Sequence, residues 1–266
     1  MEENEVLRQL SERKSVRAFL DREIPEPAVQ AILTAASNAP TAGNQQLYTI
    51  LRITDPALKA ALSESCDHQP FIAKAPLVLV FCADCKKWYD AYRSVGCEAR
   101  RPGVGDLLLA VDDALVAAQN AVTAAWSLGV GSCFIGDVME NMETQRSLLR
   151  LPEYVFPAAM LVFGYPTEQQ QNRPKPPRAA LEYLVQENTY APLSDDALRQ
   201  MLLKNCTEET FDHWLRAFHA RKYDSDFARE MTRSVAAFLR QFERVLASMV
   251  ASFCIRAFSA SSRWTL

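Results

Sequence analysis

Histidine is scarce: His68, His213 and His219 are the only three, and they share no spacing that would assemble a metal shell. The sequence also has no His-Glu-x-x-His, no Gly-x-Ser-x-Gly, no P-loop and no Gly-x-Gly-x-x-Gly after a strand. Metalloproteases, α/β-hydrolases, P-loop nucleotidases and Rossmann dehydrogenases therefore have no support. Basic excess is missing too. Against 32 Asp and Glu stand 29 Lys and Arg, a net charge of -3, which removes the electrostatic footprint of a general nucleic-acid binder. Met1 to Glu5 is acidic rather than basic and apolar, so no secretory signal is expected there and a cytoplasmic location is. No uncharged run completes a membrane span. Residues 114–136 lack Asp, Glu, Lys and Arg, but they contain Gln119, Asn120, Thr123 and Ser127 and are broken by Gly129 and Gly131. A buried helix followed by a strand accounts for them.

The seven cysteines are odd in number, and Cys82-Ala-Asp-Cys85 has the spacing of a redox pair or half a zinc site. No second Cys-x-x-Cys or His pair completes it, so reduced thiols with a structural role, and no metal, are expected.

What is present suffices for a sizeable core: 266 residues, 49% hydrophobic and 23% charged. Val6, Leu7 and Leu10 recur at helical spacing, and Pro25 and Pro27 open a second helix carrying Val29, Ile32 and Leu33. Strands are expected at Leu47–Ile53, Leu77–Cys82, Val130–Ile135 and Ala159–Phe163, with a long helix at Asp106–Leu128. Strands spaced by helices argue for an α/β or α+β domain around a buried sheet. The stripe Ala114, Ala117, Ala118, Ala121 and Ala125 suits close helix packing, either across a dimer or inside one core.

From Gln169 to Arg178 the chain is polar, and Pro174, Pro176 and Pro177 exclude regular helix. Beyond Ser194 the pattern is wholly helical. Expected boundaries are 1–190 for the main domain, 191–247 for a helical extension, and 248–266 for a tail without regular structure, because Ser248–Leu266 lacks periodicity and acidic residues.

Two basic clusters and one polar loop are candidate ligand groups. Arg13, Lys14, Ser15 and Arg17 place three cations and a hydroxyl within five residues, which suits a phosphate but equally a solvated helix end. Lys175-Pro-Pro-Arg178 presents cations on a proline-stiffened loop. Between them, Asn38-Ala-Pro-Thr-Ala-Gly-Asn-Gln-Gln46 has loop composition, which frees side chains and amides for a ligand.

In order, Glu12-Arg-Lys-Ser-Val-Arg-Ala-Phe19, Ser37 to Gln46, Val130-Gly-Ser-Cys-Phe-Ile-Gly-Asp137, and Phe163-Gly-Tyr-Pro166 followed by Lys175-Pro-Pro-Arg178 resemble the nitroreductase family over about Leu7 to Arg178. The resemblance implies an α+β fold with a mostly antiparallel sheet flanked by helices, a C-terminal helical extension, and a homodimer. It implies FMN as cofactor, NADH or NADPH as donor, and nitroaromatics, quinones or related small aromatics as acceptors in a ping-pong cycle. On that basis Arg13, Lys14, Ser15 and Arg17 meet the flavin, with Arg17 supporting its reduced form. Pro40, Thr41, Ala42 and Asn44 approach from the partner subunit, Ile135, Gly136 and Asp137 place an amide near N5, and Lys175 and Arg178 close over the phosphate. Gln69 is a further flavin contact and Phe71 faces substrate. Asp137 departs from the glycine frequent at that place. No side chain is expected to be a catalytic nucleophile or obligate acid, because the flavin carries the chemistry. A specialised flavoenzyme, such as a dehalogenase or ring oxidase, and a non-catalytic FMN-binding protein are the alternatives.

Overall fold

The computed structural model describes residues 4–261 by backbone and 4–243 by side chain. Four strands form one antiparallel sheet in the order β1-β2-β4-β3: β1 Tyr48–Ile53, β2 Leu77–Asp84, β3 Gly131–Ile135 and β4 Val155–Gly164. The two central strands, β2 and β4, are buried along their whole length, which is why both read as continuous apolar runs rather than alternating ones. Pro157 lies at the register shift between Phe81 and Cys82, where a missing N–H costs the ladder least. All four expected strands are present, and the resulting architecture is α+β.

Around the sheet, in chain order, lie α1 Glu5–Glu12, α2 Glu26–Ser37, α3 Pro56–Ser65, α4 Pro70–Lys74, α5 Lys86–Ser94, α6 Val104–Ser127, α7 Met142–Leu148 and α8 Glu168–Asn172. Local chemistry sets several of their starts. The Asp55 side chain accepts the Ala57 N–H ahead of α3, and Asp106 in the first turn of α6 accepts the Gly103 N–H. The short helix α8 uses the first half of the polar 169–178 stretch and ends before Pro174, so proline excludes helix only from that point on.

Helix α6 lies along the sheet beside α2. Ala114, Ala117, Ala118, Ala121 and Ala125 are fully buried within the protomer, so the stripe serves the chain's own core and not a partner. Small side chains there let a 24-residue helix approach the sheet closely. Its outer face instead exposes Leu108, Leu109, Leu115 and Val116.

The chain divides into two compact units, residues 4–172 with Met231 onward, and Arg173–Glu230. The second contains α9 Asp195–Leu202 and α10 Phe211–Lys222, where Arg199 pairs with Glu208 and Asp212 and lies over the Phe211 ring. The final helix, α11 Asp226–Ser261, returns to the first unit from Met231, unlike the expected extension spanning 191–247. Phe238 meets Phe156 edge-on at 5.1 Å, Phe242 meets Tyr154 at 5.6 Å, and Gln241 accepts the Tyr154 N–H at 2.9 Å. Burying those two phenyl rings contributes about 1.5–3 kcal/mol each, which makes this helix part of the core. Helix continues to Ser261 where composition suggested a tail from Ser248; residues 262–266 lie outside the described residues.

Candidate functional site

After α1 the chain runs extended beside β3. Ser15 bridges Ser132 in parallel, and the Val16 N–H donates to the Ser132 carbonyl at 2.9 Å. Further along, the Leu20 N–H donates to Tyr165 at 2.8 Å, the Thr167 N–H donates to Ala18 at 3.2 Å, and the Lys14 ammonium donates to the Gln171 carbonyl at 2.6 Å. Residues 15–20 are thus stitched to β3 on one side and to the segment after β4 on the other.

Two glycines make room for this. A Cβ on Gly131 would lie 2.6 Å from Val16 Cγ2, and one on Gly164 would lie 2.6 Å from the Phe19 ring. With Val16 buried, strand alternation turns Ser15 and Arg17 to the opposite side.

Cys133 lies on β3 next to the Ser132 that this segment bridges. Burial raises the thiol pKa, Arg17, a hydrogen bond with Ser15, and Arg13 lower it, and Asp137 raises it. Ser15 and Val16 are tied to Ser132 of β3, and the same strand leads directly into the Ile135–Asp137 turn, so the basic segment and that turn share one strand although they lie more than a hundred residues apart in sequence. Cys66 extends the cluster: burial pushes its thiol up to about 12, with Asp137 the foremost charge acting in the same direction. The Gln69 carboxamide donates to the Cys66 carbonyl at 2.8 Å, which sets Gln69 beside this end of the sheet. Ile135 is buried, Gly136 is exposed, and Phe71 is half-buried against the core.

The Pro40–Asn44 loop has a different anchor. The Asp113 carboxylate, buried in the middle of α6, accepts the N–H groups of Ala42 and Leu47 at 3.0 Å each and the Thr41 hydroxyl. Thr41 in turn accepts the Gln46 N–H at 2.7 Å. Hydrogen bonds tie Thr41, Ala42 and Leu47 to Asp113 of α6, and Gln45 to Trp88 and Tyr92 of α5. Beyond it, a cavity of about 380 Å³ is lined by Gln45, Trp88, Tyr89, Tyr92, Arg100 and Asp106, with Trp88 donating to the Gln45 carbonyl. Lys175 and the exposed Arg178 belong to the second unit, so the first unit's geometry does not by itself bring them to Arg13.

Asp113 was not singled out from sequence. Its signal was there: an acid on the stripe of Ala110, Ala114 and Ala117 is headed for the interior and needs donors. Ser132, Gly131 and Gly164 had no such signal. Cys82 and Cys85 are both buried with thiols pushed up to about 12, chiefly by desolvation, which marks inert packing thiols. Among the described residues no group of His, Cys, Asp and Glu is placed to hold a metal.

The family model described as the nitroreductase family matches residues 10–165. The chain is 29% identical to an FMN reductase [NAD(P)H] of Bacillus subtilis over 237 residues, covering 88% of this chain and 91% of that one. It is 35% identical over 185 residues to an oxygen-insensitive NADPH nitroreductase of Salmonella typhimurium, covering 70% and 74%. The solved structure of B. megaterium NfrA2 superposes with a TM-score of 0.79 at 27% identity, covering 90% of this chain and 98% of that one.

Proposed function

Because the chain belongs to the nitroreductase family, we propose that it is an FMN-dependent NAD(P)H oxidoreductase acting on nitroaromatic, quinone or related planar acceptors. The observation that carries this reading is that the Arg13–Arg17 segment is stitched to β3 at Ser132, the strand that leads into the Ile135–Asp137 turn. Two cations and a hydroxyl on an extended segment fixed by hydrogen bonds to Ser132 and Tyr165 suit an anion, and Gly136, after the same strand, is exposed.

The residues present fit FMN. Arg13, Lys14 and Ser15 would hold its phosphate and ribityl chain. Ile135, Gly136, Asp137 and Gln69 would border the ring, and Phe71 the acceptor. Bound FMN supplies hydride acceptance from NADPH or NADH and its return to an acceptor. What the chain supplies is orientation and charge. Arg17, exposed and cationic, would supply positive charge at the edge of a bound ring. Donor and acceptor use one place in turn, a ping-pong order. The aromatic surface of Trp88, Tyr89 and Tyr92 beyond the 41–46 loop suits planar acceptors.

A homodimer belongs to the same reading. The outer face of α6 exposes Leu108, Leu109, Leu115 and Val116, and α1 exposes Val6, Leu7 and Leu10. Asp113, on the same helix, holds the loop with Pro40, Thr41, Ala42 and Asn44, which is thereby offered to the partner's flavin. A cytoplasmic location is part of the proposal too. Helix α6 is long and apolar enough to cross a membrane, but its alanine face is buried on the sheet.

Anaerobic mixing of the purified protein with NADH or NADPH tests the reading. Yellow protein should bleach within seconds and recolour on adding a quinone or nitroaromatic. Colour that persists would instead favour a non-catalytic FMN carrier, and failure to bind added FMN would overturn the proposal. Light scattering reads the dimer.

A further inference from the structure

Ser234 on α11 is fully buried, and its hydroxyl is used twice. Oγ donates to the carbonyl of Met139 at 2.7 Å and accepts the N–H of Met142 at 2.9 Å. Those two backbone groups bracket Glu140 and Asn141, the reversal between the 3-10 turn Gly136–Met139 and α7, where Asn141 adopts φ +51°. Beside Ser234, Arg233 makes a two-point contact with Glu143 of α7 at 3.1 and 2.9 Å. On the other side, the Asn141 carboxamide donates to the Ser65 carbonyl, and the Gln145 carboxamide donates to the Ser65 hydroxyl, each at 3.0 Å. The reversal is clamped between α11 and the end of α3.

The turn needs that clamp. Gly136 has no side chain, and the nearest atom to a Cβ placed there is the flexible end of Met139, 3.9 Å away. Within the turn, the Glu140 N–H donates to the Asp137 carbonyl at 3.0 Å, which sets its first half, while the Ser234 hydroxyl ties its exit at Met139 and Met142. Contacts from more than ninety residues downstream fix where the turn ends, and with it the direction of the Gly136 and Asp137 amides.

We propose that Ser234 is a positioning residue for the flavin site, holding the Gly136–Met142 turn in the geometry that presents its amides to the ring. This rests on the FMN reading above. An amide near the ring favours one redox state over the other according to its placement. A tenfold change in that preference corresponds to about 30 mV for a two-electron couple.

The test uses the full chain with Ser234→Ala and Ser234→Thr. In flavin-free protein, exchange of the Met142 amide and its neighbours in 137–142 is expected to quicken at least tenfold in the alanine variant. With FMN bound, the midpoint potential is expected to shift by about 30 mV or more, and threonine, which keeps the hydroxyl, to restore both quantities. If Ser234→Ala does not accumulate folded, Ser234→Cys, close in size with a weak donor, reads the same two quantities. Unchanged exchange overturns the clamp. Faster exchange with an unaltered potential and flavin spectrum makes Ser234 merely structural and overturns the positioning role. Failure of the unsubstituted protein to bind FMN overturns the FMN reading itself, a distinct result, because exchange is measured without flavin.

Discussion

Asp113 and Ala42 are joined across 71 residues by a 3.0 Å hydrogen bond from the Ala42 N–H to the Asp113 carboxylate. The same carboxylate accepts from Leu47 and Thr41, so one buried acid organises the loop between α2 and β1. Apolar helices rarely carry a buried acid, and here three donors satisfy it. Asp113→Ala strands those donors, and a cost of about 3–5 kcal/mol is expected from the lost charge-assisted bonds. Asp113→Asn keeps one acceptor oxygen and should lie between. Urea unfolding together with retained flavin per protomer measures both, and an unmoved midpoint in either variant would contradict the role given to Asp113.

Arg17 is exposed on the segment that Ser15 and Val16 tie to β3. Arg17→Ala is expected to lower turnover with NAD(P)H by about 100-fold, the lower end of the range seen on removing a positioned electrostatic group. FMN retention should change much less. Stopped-flow reduction at full flavin occupancy decides it, and a rate equal to that of the parent protein would count against the assignment.

Gly131 and Gly164 have no room for a methyl group. Gly131→Ala forces Val16 Cβ, 2.8 Å from the new atom, away from β3 and should destabilise by about 1–3 kcal/mol while loosening the Arg13–Arg17 segment. Gly136→Ala meets its nearest atom at 3.9 Å and should leave thermal stability nearly unchanged. Comparing melting temperatures and FMN affinities tests the contrast; equal melting temperatures for both variants would defeat it.

The thiols of Cys66, Cys82 and Cys85 are pushed up from the ordinary 9.0 to about 12, first by desolvation and then by nearby carboxylates. A thiol is neutral when protonated, so the folded state holds these protons to higher pH than the unfolded chain does. Stability from this source is complete below about pH 9 and is lost as pH rises toward 12. Guanidinium melts from pH 8 to 11 should show a falling midpoint, less steep in Cys82→Ala. In native protein at pH 8 a thiol reagent should label the exposed Cys97 while Cys66, Cys82 and Cys85 react only on unfolding. Rapid native labelling of the Cys82–Cys85 pair would show that those thiols are not held as described.

All four strands were legible in sequence because β2 and β4, buried on both faces, had to be continuous apolar runs, and because turn-forming residues bound each strand. Family motifs pointed to Arg13, Ser15, Arg17 and Asp137, and the structure ties Ser15 and Val16 to the strand that leads into Asp137. The alanine stripe of α6 was ambiguous for a physical reason: a core face and a dimer face need the same small residues, and only packing against the sheet separated them. Where the last helix packs was not legible, since helical periodicity marks α11 equally well whether its aromatic face is solvated or, as with Phe238 and Phe242, packed on Phe156 and Tyr154.

By itself, then, the sequence determined element types, the α+β class and a family, because periodicity and short motifs are local properties. Tertiary structure alone decided that Asp113 holds the 41–47 loop, that Gly131 and Gly164 admit the basic segment, and that Ser234 closes the 136–142 turn. Each of these is a contact between residues distant along the chain. No window of sequence contains both partners, and folding alone brings a buried donor to its acceptor.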